Sequence, residues 1–154
     1  MSVDLRWTEL PWEALGRDDL YDVMTLRQVV FVIEQNCVYL DCDGVDRRSV
    51  HLLGRLPSGE LVAYARLIDR GIVFDEPSIG RIVTHPWARR IGAGRALVAE
   101  SIARVERLFG KGPIRIGAQR YLERFYGELG FVIASEPYLE DGIPHIEMLR
   151  AGPS

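Results

Sequence analysis

The chain has 154 residues, 47% of them hydrophobic and 27% charged, with a net charge of −3, which fits one domain over residues 1–154 and argues against nucleic acid as a main partner. Its two cysteines, Cys37 and Cys42, make neither a disulfide scaffold nor a four-ligand zinc site. The start of the chain lacks a signal-peptide core and no apolar run reaches membrane-spanning length, so a reducing, cytoplasmic setting without membrane contact is expected.

Residues 4–10 alternate in polarity and predict a first strand, stopped by Pro11. After a connector over 12–16, Asp18 is placed to cap a helix beginning near Asp19. Val23, Leu26, Val30 and Ile33 recur at helical spacing and are expected to face the core. The run Val29-Val30-Phe31-Val32-Ile33 is rich in β-branched residues. No turn signal separates it from the helix before it, so it reads as the continuation of that helix. Residues 34–46 form a polar loop. Its Asp41, Asp43 and Asp46 lack the glycine position and the closing glutamate of an EF-hand, and they read as solvated or turn-forming.

Residues 50–56 and 61–68 form a hairpin through Pro57-Ser58-Gly59-Glu60. A loop leads to a strand over 78–84 and then to a long helix over 92–109. On that helix Val98, Ile102, Val105 and Phe109 share one stripe, while Glu100 and Arg104 pair one turn apart on the other side. Gly110-Lys111-Gly112-Pro113 ends it. A strand over 114–118, a short helix over 122–129 capped by Gly130, and strands over 131–134 and 145–149 complete the chain. The last two are joined through the turn Glu140-Asp141-Gly142. This mixed order points to an α+β domain whose central sheet splits at one end.

The chemistry is concentrated between the fourth strand and the long helix. Gly92 and Gly94 open the helix where unpaired backbone N–H groups and the positive end of the dipole make an anion site. Arg89, Arg90 and Arg95 add charge suited to phosphate oxygens. A P-loop would carry Lys and Ser or Thr where Arg95-Ala96 stands, and a dinucleotide fingerprint would carry Gly or Ala where Leu97 stands.

Arg89-x-x-Gly92-x-Gly94 instead resembles the signature of the GCN5-related N-acetyltransferases (GNAT), whose loop holds the pyrophosphate of coenzyme A. Phe125-Tyr126-Gly127-Glu128-Leu129-Gly130-Phe131 resembles that family's F-Y-x-x-x-G-F signature. Residues 80–84 and 114–119 look like its fourth and fifth strands. In the first half, residues 26–37 and Asp43-Gly44-x-Asp46 are similar to the ElaA branch, as is Asp141-Gly142-Ile143-Pro144-His145 near the end. The resemblance covers roughly residues 5–150. It departs at Val38, where relatives commonly carry proline, a change that touches the loop path and not the cofactor site.

The resemblance implies a mixed, mostly antiparallel sheet splayed between its fourth and fifth strands and flanked by helices. It implies acetyl-CoA as cosubstrate, no metal, and direct transfer of the acetyl group to a primary amine of a small molecule or peptide in a ternary complex. Backbone groups of Ile82, Val83 and Thr84 would bond the pantetheine arm and polarise the thioester carbonyl. The loop of Arg89, Arg90, Ile91, Gly92, Ala93, Gly94 and Arg95 would hold the pyrophosphate, and Gln119 would contact pantetheine. Tyr126 stands at the family's general-acid position, beside the departing thiolate.

Phe125 and Phe131 read as core. His51, His85, His145 and Glu34 are candidate bases beside a water chain, and His145 and Glu34 lie in resemblance-bearing motifs. His85, in a turn before Pro86, is expected to be exposed. Cys37 has no histidine neighbour in sequence and is not read as a nucleophile. Two alternatives stand beside the acetyltransferase reading: a longer acyl donor, and a CoA-binding sensor or interaction module without turnover. An exposed strand at the C-terminal end is compatible with a homodimer.

Overall fold

The computed structural model describes residues 4–153. Its strands and helices run β1 (Arg6–Pro11), α1 (Arg17–Arg27), β2 (Ser49–Arg55), β3 (Leu61–Ile68), β4 (Ser78–Thr84), α2 (Ala93–Phe109), β5 (Ile114–Gln119), α3 (Glu123–Gly127), β6 (Phe131–Ile133), β7 (Tyr138–Glu140) and β8 (Ile143–Arg150). They build an α+β fold from two antiparallel sheets. The first has the order β1-β2-β3-β4; in the second, β8 pairs with β5 on one side and with β6 and β7 on the other. Among the described residues no helix is long and apolar enough to cross a membrane.

The first sheet is covered on both faces, which is why β3 reads Leu-Val-Ala-Tyr-Ala-Arg-Leu-Ile and is buried throughout. On one face Ala63, Ala65 and Leu67 meet Leu97, Val98, Ile102 and Val105 of α2, and the same core runs on to Ile114, Ile116, Ile146 and Met148 of the second sheet. On the other face Tyr64, Leu53 and Val83 meet Val23, Leu26 and Val30. The expected stripe of α2 is thus the bridge between the sheets, and Glu100 accepts from Arg104 on its outer side at 2.8 Å.

Several local expectations change. Helix α1 is capped by Gly16, with Asp18 and Asp19 inside its first turn, where their charge suits the dipole. Beyond Arg27 the chain stays helical but winds as a π-helix over Gln28–Glu34, with Gln35 N donating to Val30 O and Cys37 N to Val32 O. That wider turn carries Ile33 off the apolar stripe, and its side chain is 72% exposed instead of in the core. A short strand, β7, lies where only a connection was expected. Asp141 (φ +51) and Gly142 (φ +79) form the two-residue turn that pairs it with β8. Strand β8 is flanked on both sides, so the outer edge of its sheet belongs to β6 and β7.

The aspartates of the 34–46 loop are not free in solvent. Asp46 accepts from Arg27 Nη1 at 2.7 Å and from Arg66 Nη1 at 3.1 Å. Asp43 accepts from Arg66 at 2.7 and 2.8 Å and also caps a turn at Val45 N. Asp41 accepts from Arg27 Nε at 2.8 Å, Arg81 Nε at 2.7 Å and the Tyr39 hydroxyl at 2.8 Å. Arg27, Arg66 and Asp46 are buried, so the pairs at Asp46 belong to the interior, while Asp43 stays at the surface; together they fasten the loop to α1 and the first sheet.

Candidate functional site

Strands β4 and β5 are neighbours that do not pair. Among the described residues one backbone hydrogen bond, Arg115 N of β5 to the O of Pro77 just before β4 at 3.0 Å, links the two strands. Beyond it they diverge around a cleft of about 810 Å³. Ile79–Thr84 line one wall and Gly117, Ala118 and Gln119 the other. A bulge widens the gap: Tyr64 faces Val83 while Arg66 faces Gly80, so Arg81 and Ile82 together oppose Ala65. Arg81 takes φ +48, a strained conformation for a side-chain-bearing residue, and its guanidinium is held by Asp41. Each wall therefore presents backbone groups that no strand satisfies.

At one end of the cleft a 3-10 turn over Pro86–Ile91 leads to Gly92, whose φ of +77 turns the chain into α2. The first intrahelical bond is Ala96 N to Gly92 O at 3.2 Å. The N–H groups of Ala93, Gly94 and Arg95 precede it and lack an intrahelical acceptor. A β-carbon on Gly92 would meet nothing within 4 Å, and one on Gly94 only Phe125 Cζ at 3.9 Å, so the helix start opens onto space. Gly92, Gly94, Arg89 and Arg95 line the cleft. Arg90 is exposed, Ile91 half-buried and Ala93 buried, and none of the three lines it, although the backbone of Ala93 belongs to the free turn.

Tyr126 lines the middle of the cleft from α3 and is only 5% exposed. Its ring lies edge-on to Phe125 and Phe131, at 5.2 and 6.0 Å between centroids. Among the described residues its hydroxyl has no hydrogen-bond partner. Burial, with a smaller push from Tyr121, raises the phenol above its ordinary value near 10.0, so it keeps its proton at neutral pH. Phe131 is core, whereas Phe125 is half-buried and lines the cleft.

His145 lines the opposite part of the cleft, on β8 beside Gln119 of β5. Its Nδ1–H donates to Ile143 O at 2.7 Å, and its ring stacks on Tyr138. Nε2 is the remaining nitrogen, 3.3 Å from Glu140 Oε2. In the sequence Glu140 reads only as part of a turn. The turn that brings it back beside His145 was legible as Asp-Gly, but the strand before it was not.

Of the other base candidates, His51 and Glu34 are engaged elsewhere. His51 is fully buried, with Nε2–H donating to Asp46 O at 2.9 Å and Nδ1 accepting from Tyr64 at 2.7 Å. Burial holds it neutral by lowering it from its ordinary value. His85 is half-buried, not exposed as expected, and its Nδ1 is buried without a partner. Glu34 lies outside the cleft lining, with both carboxylate oxygens on Arg89. Gln119 exchanges side-chain hydrogen bonds with Gln35 at 3.2 and 3.4 Å. Cys37 lines the cleft with its thiol toward Asp141 O at 3.5 Å.

Residues 44–150 match the family described as acetyltransferase (GNAT) domain. The chain is 40% identical over 147 residues to a UPF0039 protein of Synechocystis, covering 96% of each chain. It is 37% identical over 148 residues to the protein ElaA of Escherichia coli, covering 95% of this chain and 96% of that one. The crystal structure of ElaA superposes with a TM-score of 0.87 over 96% of this chain and 99% of that one. An acyl-CoA N-acyltransferase from Pseudomonas aeruginosa superposes with a TM-score of 0.89 at 40% identity, over 96% of this chain and all of that one.

Proposed function

The chain belongs to the acetyltransferase (GNAT) family, and from that premise we propose that it transfers an acetyl group from acetyl-CoA to a primary amine of a small molecule or peptide. The observation that carries this reading is the unzipped seam between β4 and β5, with the open first turn of α2 at one end and, lining the cleft, Tyr126, whose hydroxyl bonds no described residue. That arrangement suits a long ligand with amides in its middle, phosphates at one end and a reactive group near the phenol. The family description, acetyltransferase, favours acetyl over a longer acyl group.

Coenzyme A supplies the activated acyl group as a thioester. The free N–H groups of Ala93, Gly94 and Arg95 and the guanidinium of Arg89 hold the pyrophosphate, far from the reacting atoms, so that remote binding fixes the geometry. Backbone groups of Ile82, Val83 and Thr84 take the amides of the pantetheine arm, and Gln119 meets it from β5. Tyr126 gives its proton to the departing sulfur. His145 takes the proton of the attacking amine at Nε2. Its Nδ1–H is committed to Ile143, which leaves Nε2, 3.3 Å from Glu140 Oε2, to receive it.

The test is a calorimetric titration with acetyl-CoA, followed by thiol release over a panel of primary amines. Uptake with thiol release only when an acceptor is present is the expected result. No uptake refutes the reading, and uptake with no release for any amine transfers the assignment to a CoA-binding sensor.

A further inference from the structure

Glu34 and Gln35 end the π-helical turn, and each is tied to a different wall of the cleft. Arg89 donates to Glu34 in a forked pair, Nη1 to Oε2 at 2.9 Å and Nη2 to Oε1 at 2.7 Å. Its Nη2 also reaches Thr84 O at 3.4 Å. Gln35 is tied to Gln119. Both partners, Arg89 and Gln119, line the cleft.

A carboxylate held by a guanidinium fork presents two oxygens much as a phosphate does. Glu34 fills the Nη1/Nη2 fork of Arg89 from outside the cleft. The pair is partly solvated, with side-chain exposures of 45% for Arg89 and 37% for Glu34, so water screens it and an incoming dianion can exchange for it. The hydrogen bond from Arg89 holds the Glu34 carboxyl below its ordinary value, so the placeholder is charged at neutral pH.

We infer that Glu34 sets cofactor affinity by competing for Arg89: it holds the guanidinium until the pyrophosphate of coenzyme A displaces it. This rests on the reading that Arg89 meets that pyrophosphate. Glu34 thus acts against binding, through another residue, instead of taking part in the chemistry. Its neighbour Gln35 is released when Gln119 turns to the pantetheine arm, so both ties of this segment break on residues the cofactor uses.

Coenzyme A titrated into the full chain tests this, using wild type, Glu34→Gln, Glu34→Ala, Arg89→Gln and the double variant Glu34→Gln/Arg89→Gln. Both Glu34 variants are expected to bind roughly two- to fivefold tighter. Arg89→Gln should bind roughly tenfold or more weakly, and the gain from Glu34→Gln should vanish in that background. Unchanged or weaker binding by both Glu34 variants overturns the inference, as does a gain that persists without Arg89. An Arg89→Gln variant with unchanged affinity overturns the pyrophosphate reading itself, which is a separate failure.

Discussion

Arg27 and Asp46, 19 positions apart, are joined in the interior by bonds of 2.7 and 3.3 Å. Asp46 shares its Oδ1 with Arg66, and the backbone carbonyl of Asp46 also accepts a hydrogen bond from His51 Nε2–H. Replacing Arg27 with Met should leave buried carboxylate charge short of a partner and cost about 3–5 kcal/mol of stability. Denaturant unfolding followed by circular dichroism measures it. A loss below about 1 kcal/mol would show that Arg66 suffices alone.

The same cluster sets the response to acid. Burial, the largest single influence, raises Asp41 and Asp43, but Arg27, Tyr39 and Arg81 together outweigh it at Asp41, and Arg66, Val45 N–H and Arg81 together outweigh it at Asp43, so both fall below the ordinary 3.8. Their contribution is complete above that value and is lost as pH falls through the lower folded values. His51, lowered from 6.5 by burial, binds its proton more readily in the unfolded chain. Stability therefore begins to fall as pH drops through about 6.5, and falls again below about 4. Denaturant midpoints across pH should show two steps, the upper one absent in His51→Gln.

Tyr126→Phe removes a hydroxyl that bonds no described residue, so fold and acetyl-CoA affinity should be retained while turnover drops about a hundredfold or more. Thiol release at saturating cofactor is the readout. Turnover equal to wild type removes Tyr126 from the acid role.

The two glycines at the start of α2 should separate by mechanism. Gly92 sits at φ +77, so Gly92→Ala costs about 1–2 kcal/mol of stability as well as cofactor affinity. Gly94→Ala keeps an ordinary helical backbone and points its methyl toward open space beside Phe125, so stability should hold while affinity for coenzyme A falls. Paired thermal melts and CoA titrations distinguish them.

What the sequence disclosed depended on range. The hairpin of β2 and β3, the stripe of α2 and the open glycine turn are written in neighbouring residues, and all three stand where expected. The roles of Asp41, Asp43 and Asp46 are not, because their partners Arg27, Arg66 and Arg81 lie on other elements. The π winding left no local mark either: Val29–Ile33 fits an α-helix equally well until the bonds to Val30 O and Val32 O are seen. Strand β7 is exposed at all three positions, so it has no buried face for a pattern to reveal. The bulge at Arg81 carries no glycine of its own, and only the strand opposite discloses it.

A sheet margin left bare usually endangers a protein, because it recruits strangers and seeds clumping. Here β4 and β5 turn two such margins toward each other, with the Pro77–Arg115 contact as a spine. On the reading proposed above, a guest with peptide-like amides would meet unpaired groups on both sides. The hazard and its remedy are the same piece of architecture.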